Sequence, residues 1–121
     1  MDNYLIWPSV NDLYKSSKNT VWRRQVLEKR VVIMRFLKDN NLLRVEPFDA
    51  NGELNLDLAL MRSDVTDDGD AMFEKVIPSW QKARDKDGKI NNLEILEKGL
   101  KKIRTYAILM ETDGLRNSWR K

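Results

Sequence analysis

The chain has 121 residues, 41% hydrophobic and 34% charged, with a formal net charge of +3. That balance excludes a disordered chain, and no apolar run approaches the ~18 residues of a membrane span, so no membrane partner is expected. Cysteine and histidine are both absent, which removes disulfides, thiol nucleophiles, Cys/His zinc sites, imidazole bases and the catalytic triads built on them.

The start, MDNYLIWPSV, has neither a basic nor an apolar signal region, so a cytoplasmic protein is the expectation. Mild basicity, with an isoelectric point near 9.2, suits either nucleic acid or an acidic protein as partner. Ser9 reads as the cap of a short helix carrying Val10, Leu13 and Tyr14, with Asp12 at the third helical position. After a break at Ser16 to Asn19, Asn19 or Thr20 opens a long helix to about Lys38. Trp22, Val26, Ile33 and Leu37 form its stripe, and Leu27, Val31, Met34 and Phe36 widen it. Asp39-Asn40-Asn41 is its stop.

From Leu42 to Leu60 the pattern predicts a β-hairpin around Asn51-Gly52. Leu54, Leu56, Leu58 and Leu60 alternate with polar residues on the outgoing strand, and Pro47 places the incoming strand at an edge. Thr66 is the predicted cap of the next helix, with Asp67, Asp68 and Asp70 at the positive end of its dipole. Phe73, Val76, Ile77, Trp80 and Ala83 make the buried stripe of that helix, and Pro78 should kink it or split it at Ile77. Asp85 to Gly88 reads as a turn. Asn91 or Asn92 then caps a last helix over Leu93, Leu96, Leu100, Ile103 and Ala107, and residues 112–121 read as a loosely ordered tail.

No repeat or linker divides the chain, so one domain, 1–121, is the economical reading. The expected fold is mainly α with a small β-hairpin (α+β), a winged-helix-like compact domain of about four helices and a two-stranded antiparallel wing.

Two acidic arrangements bear on metal chemistry. Ala83 to Glu94 matches a calcium loop at Asp85, Asp87, Gly88, Ile90 and Glu94, but Ala83 stands where the first acidic ligand belongs, so a solvated turn and helix cap is the reading. Asp64, Asp67, Asp68 and Asp70 are explained by helix capping. Catalytic residues, metal and cofactors are therefore each read as none.

Basic residues gather as Arg23, Arg24, Lys29, Arg30 and Arg35 on the long helix and Lys98, Lys101, Lys102 and Arg104 on the last. Interspersed Glu28, Glu94 and Glu97 make solvated faces with i,i+4 pairs the leading reading, and phosphate contact the second. The candidate partner-binding residues are Trp22, Arg23, Arg24 and Arg30 on the long helix, with Asp49, Asn51 and Glu53 at the hairpin tip.

The run from Leu42 through the hairpin to Asp64-Val-Thr-Asp-Asp-Gly69 resembles the wing and following helix of MarR-type winged-helix regulators, over about a third of the chain. That resemblance implies nucleic-acid binding. The long helix ahead of the wing is longer and more apolar at its end than a recognition helix, which ranks this reading second. FLKDNNLL, SDVTDDG, Trp80 and LEKGLKKIR also resemble elements shared by a group of small, functionally uncharacterised bacterial proteins. Proteins of that build often partner a toxin or effector. The leading expectation is thus a non-catalytic immunity or antitoxin-type protein that occludes a protein partner.

Overall fold

The computed structural model describes residues 3–87 and 93–106. They form a mainly helical α+β fold with a two-stranded antiparallel sheet. In chain order the elements are β1 (Leu5–Trp7), α1 (Val10–Tyr14), α2 (Thr20–Asp39), β2 (Leu60–Met61), a 3-10 turn (Arg62–Asp64), α3 (Asp67–Ala71), a π turn (Met72–Val76) and α4 (Ile77–Asp87). A further helix, α5, covers residues 94–106. The chain groups into two compact units, Met1–Asp70 and Ala71–Lys121.

In the first unit, local chemistry sets the ends of the helices. The Ser9 hydroxyl accepts the Asp12 N–H at 3.1 Å, starting α1. Asn19 does the same for Trp22 at 3.0 Å, starting α2. At the far end of α2, Asn41 takes a left-handed φ of 60°. Its N–H reaches the Lys38 carbonyl at 3.0 Å, while the Leu42 N–H reaches the Leu37 carbonyl at 2.9 Å. This paired reversal is a Schellman cap with asparagine in the place usually held by glycine. Val26, Ile33, Met34, Phe36 and Leu37 of α2 are buried, as their spacing predicts.

The strands differ from the predicted hairpin. β1 pairs antiparallel with β2, Leu5 opposite Met61 and Trp7 opposite Leu60, so the sheet joins segments far apart in sequence. Between residues 42 and 60 the pairing consists of an isolated bridge, Phe48 to Leu54, flanking the Asn51-Gly52 turn. The alternating leucines do not build a strand because the polar residues between them form turns. Asn55 accepts the Asp57 N–H on its side chain at 3.0 Å and the Leu58 N–H on its carbonyl at 3.3 Å. The coiled segment is pinned to α1, whose Asn11 N–H donates to the Leu56 carbonyl at 3.0 Å.

Thr66 caps α3 as predicted, its hydroxyl accepting the Gly69 N–H at 3.1 Å. Gly69 is buried against the backbone of Leu42, and a Cβ there would sit 2.7 Å from the Leu42 carbonyl oxygen.

In the second unit the helical run passes Pro78 without a break, so the split predicted at Ile77 does not occur, and a π turn just before the proline accommodates it. The Ile77 N–H bonds to the Met72 carbonyl, one residue further back than in an α-helix, immediately before the proline that lacks a donor. Val76, Ile77 and Trp80 are buried, with Met72 added to the expected stripe and Phe73 half-buried. Leu96 and Leu100 of α5 are buried as expected. Gly99 brings α5 against the π turn, where a Cβ would lie 2.4 Å from a Val76 methyl.

α4 runs through Asp87, so Asp85 and Asp87 are helical and the turn predicted at 85–88 does not begin at Asp85. The stretch Gln-Lys-Ala-Arg favours helix strongly enough to carry it past the two aspartates. The predicted caps Asn91 and Asn92, the stripe residue Ala107 and the tail at 112–121 lie outside the described residues. Among those described, no helix is long and apolar enough to cross a membrane.

Replacing Gly69 with alanine sets a helix-propensity gain of ~1 kcal/mol against an overpacking cost of ~1–3 kcal/mol. The neighbouring atom is fixed backbone, so the clash wins and the urea midpoint falls. Gly99→Ala destabilises through Val76 instead. In a double-mutant cycle with Val76→Ala, the measured coupling is favourable, because removing the two γ-methyls frees the space that the new Cβ needs.

Candidate functional site

The seven residues singled out in the sequence fall into three groups. Asp49, Asn51 and Glu53 come together on one exposed turn. The Asp49 carboxylate accepts the Asn51 N–H at 2.8 Å and the Glu53 N–H at 3.0 Å. The backbone closes the turn, with the Gly52 N–H on the Asp49 carbonyl at 2.9 Å and the Asp49 N–H on the Glu53 carbonyl at 2.8 Å. Gly52 takes a φ of +79°, open to glycine without steric cost. One carboxylate thus organises the whole tip.

The tip is anchored through Phe48, which is buried. Arg35 of α2 lies over the Phe48 ring, its guanidinium carbon 4.6 Å from the centroid. The Lys38 ammonium lies 5.7 Å from the same centroid and 2.7 Å from the Glu46 carboxylate. Glu46 also accepts the Phe48 N–H at 3.2 Å. The Lys38 hydrogen bond, helped by the Phe48 N–H, holds the Glu46 carboxyl below its ordinary value of 4.5.

Trp22 and Arg24 form the second group near the start of α2, Trp22 half-buried and Arg24 exposed. Eleven residues separate Arg24 from Arg35, about 16 Å along the helix axis, so this pair does not share a spot with the tip. Val21 beside them is 62% exposed.

The third group, Arg23 and Arg30, is turned inward, which corrects their reading as surface contacts. Arg23 donates from Nε to the Ser17 carbonyl and from Nη2 to the Tyr14 carbonyl, each at 2.8 Å, with its guanidinium over the Tyr14 ring. The Tyr14 hydroxyl returns a bond to the Arg23 carbonyl at 3.3 Å. Arg23 thus ties together the carbonyls at and just after the end of α1, that of Tyr14 also accepting the Ser17 N–H at 3.4 Å.

Arg30 is 1% exposed. It stacks on Trp7 with its guanidinium carbon 3.8 Å from the ring centroid and donates from Nη2 to the Pro8 carbonyl at 2.8 Å. Burial holds its pKa down at about 10, so it stays charged at neutral pH. The sequence does carry the signal: Arg30 falls between Val26 and Ile33 at the spacing of the buried stripe.

The acidic cluster before and within α3 is occupied by partners that the sequence did not suggest. Arg62 pairs with Asp67 and, at 3.4 Å, with Asp70, while the Tyr4 hydroxyl donates to Asp70 at 3.0 Å. The Asp67 hydrogen bond raises the Arg62 pKa further. Asp64 accepts the Met61 N–H at 2.9 Å. Among the described residues, no group of three or more His, Cys, Asp or Glu side chains is placed to hold a metal ion. On α5, Lys98 pairs with Glu94 at 2.7 Å, four residues back, as a solvated helix face would.

Comparison with protein-family models, curated proteins and solved structures finds no match for this chain.

Removing the Asp49 carboxylate in Asp49→Ala leaves the Asn51 and Glu53 amides without their acceptor, and their hydrogen exchange accelerates. Asp49→Asn, which keeps an acceptor oxygen, restores much of the protection. Because the folded pKa of Glu46 is depressed, its contribution to stability is present above the ordinary carboxylate value and lost as pH falls through the folded one. Urea midpoints measured on the acid side therefore fall less steeply in Glu46→Gln than in the parent chain.

Proposed function

We propose that this chain is a non-catalytic binding protein that neutralises a protein partner by occlusion, in the manner of an immunity protein or antitoxin. The observation that carries this reading is the tip at Asp49–Glu53, which is exposed, held by its own carboxylate and anchored on α2 through Phe48. A loop already ordered loses little conformational freedom on docking, so its contacts convert efficiently into affinity. Asp49 and Glu53 give it negative charge, which suits a partner with a basic surface. A cytoplasmic location belongs to this reading.

The disposition of the basic residues of α2 weighs against the competing proposal, a winged-helix regulator that binds nucleic acid. Arg23 is spent on carbonyls, Arg30 is buried and the exposed Lys38 is paired with Glu46, which leaves Arg24 and Arg35 as the exposed arginines of the helix. Phosphate neutralisation needs free, exposed cations along one face.

Two measurements on the same preparation separate the two readings. A labelled DNA duplex is titrated across a salt series, and the tagged chain is used as bait beside the double variant Asp49→Lys, Glu53→Lys. The expected result is no duplex binding, together with a protein retained by the parent chain and lost from the tip variant. Duplex affinity that falls steeply with salt, and weakens in Arg24→Ala, would sink the occlusion reading in favour of the regulator.

A further inference from the structure

An asparagine side chain reacts with its own main chain when the nitrogen of the following peptide attacks the side-chain amide carbon and ammonia leaves. The next residue governs this reaction, because a side chain there hinders the attacking nitrogen and glycine has none. Of the asparagines in this chain, only Asn51 precedes a glycine.

The structure leaves both reacting groups within reach of solvent. Residues 49–53 are all exposed. Apart from its chain neighbours, no atom lies within 4 Å of the place that a Cβ at Gly52 would take. Asn3, Asn11, Asn19, Asn40 and Asn55 all have their side-chain amides engaged in hydrogen bonds. Among the described residues, the Asn51 side chain has no such bond, and only its main-chain N–H is held.

The turn itself withholds the nucleophile. The Gly52 N–H donates to the Asp49 carbonyl at 2.9 Å, closing a β-turn in which Asn51 is the third residue. Attack requires this nitrogen to leave that bond and lose its proton. The Asp49 carboxylate holds the turn in place, accepting the Asn51 N–H at 2.8 Å and the Glu53 N–H at 3.0 Å. Reaction therefore waits on a local opening that Asp49 opposes.

We propose that Asn51 is a self-modification site gated by Asp49. The Gly52 nitrogen bonds to Cγ of Asn51, the bond from Cγ to the side-chain nitrogen breaks, and that nitrogen leaves as ammonia with the proton lost by the peptide. Solvent water then opens the cyclic imide at either carbonyl, to an aspartyl or an isoaspartyl link. One water is consumed and one ammonia released. Either product adds a carboxylate to a tip that already carries Asp49 and Glu53. The isoaspartyl link also runs the main chain through Cβ, which lengthens the turn and breaks the register of its Gly52 to Asp49 hydrogen bond. The site stands independently of the occlusion reading.

The full chain is incubated at mildly alkaline pH, folded and in parallel in guanidinium chloride, and followed by peptide mapping with mass spectrometry. The expected result is the mass gain of an amide-to-acid exchange at Asn51 in the folded chain, slower than in the unfolded one. Asp49→Ala, kept under conditions where it is folded, converts about fivefold faster than the parent, the factor that one net hydrogen bond contributes to an opening equilibrium. The isoaspartyl form, separated by chromatography, shows faster hydrogen exchange at Gly52. A folded chain that gains no mass at Asn51 while the unfolded chain converts overturns the site. Equal rates in the folded and unfolded parent chain, or in the parent and Asp49→Ala, overturn the gating. The first of these comparisons needs no variant, so it decides alone should Asp49→Ala fail to fold.

Discussion

The peptide of Leu42 is the point on which the first unit depends, because it serves the end of one helix and the beginning of another. Its N–H closes the Schellman cap of α2 on the Leu37 carbonyl at 2.9 Å. Its carbonyl receives the Thr66 N–H at 3.0 Å and faces the Thr66 hydroxyl at 3.4 Å, just where Thr66 caps α3. The same carbonyl is the atom that a side chain at Gly69 would strike. One residue after the helix turns, the Leu43–Val65 bridge and the Arg44 N–H on the Asp64 carbonyl extend the contact. The chain from 44 to 64 is therefore a closed excursion whose two ends are joined by backbone hydrogen bonds, which is why its tip can project and still be ordered.

The charged residues of the first unit are mostly consumed by that architecture. Arg23 ties together the carbonyls at the end of α1, Arg62 gathers Asp67 and Asp70, and Arg35 and Lys38 seat Phe48. Arginine suits such work because its planar fork reaches carbonyls and carboxylates while its face covers aromatic rings. Arg30 is the exception among them, since only one of its donors meets an acceptor while its ring contact is complete.

Much of the helical framework was legible in the residues themselves. The caps at Ser9, Asn19 and Thr66 and the stop at Asn41 are governed by neighbours within a few positions, and each stands where local chemistry places it. The strands were not legible. Alternation from Leu54 to Leu60 has the period of a strand, yet the intervening Asn55 and Asp57 take turns, and the segments that do pair, Leu5–Trp7 and Leu60–Met61, lie too far apart for any local pattern to link them. For the candidate site, exposure of the tip at Asp49–Glu53 followed from its turn residues, whereas the fates of Arg23 and Arg30 did not follow from their charge.

What the sequence determined by itself is therefore the set of interactions that close over a few residues: where helices begin and end, which side chains form their apolar stripes, and that a turn stands at Asn51-Gly52. What only the tertiary structure decided is which strand meets which and which arginines face water. Those outcomes depend on contacts between distant segments, such as Trp7 and Pro8 on Arg30, Tyr4 on Asp70 and Thr66 on Leu42. The energy of a buried charge or an edge strand is set by what covers it, and no residue's neighbours in sequence carry that information.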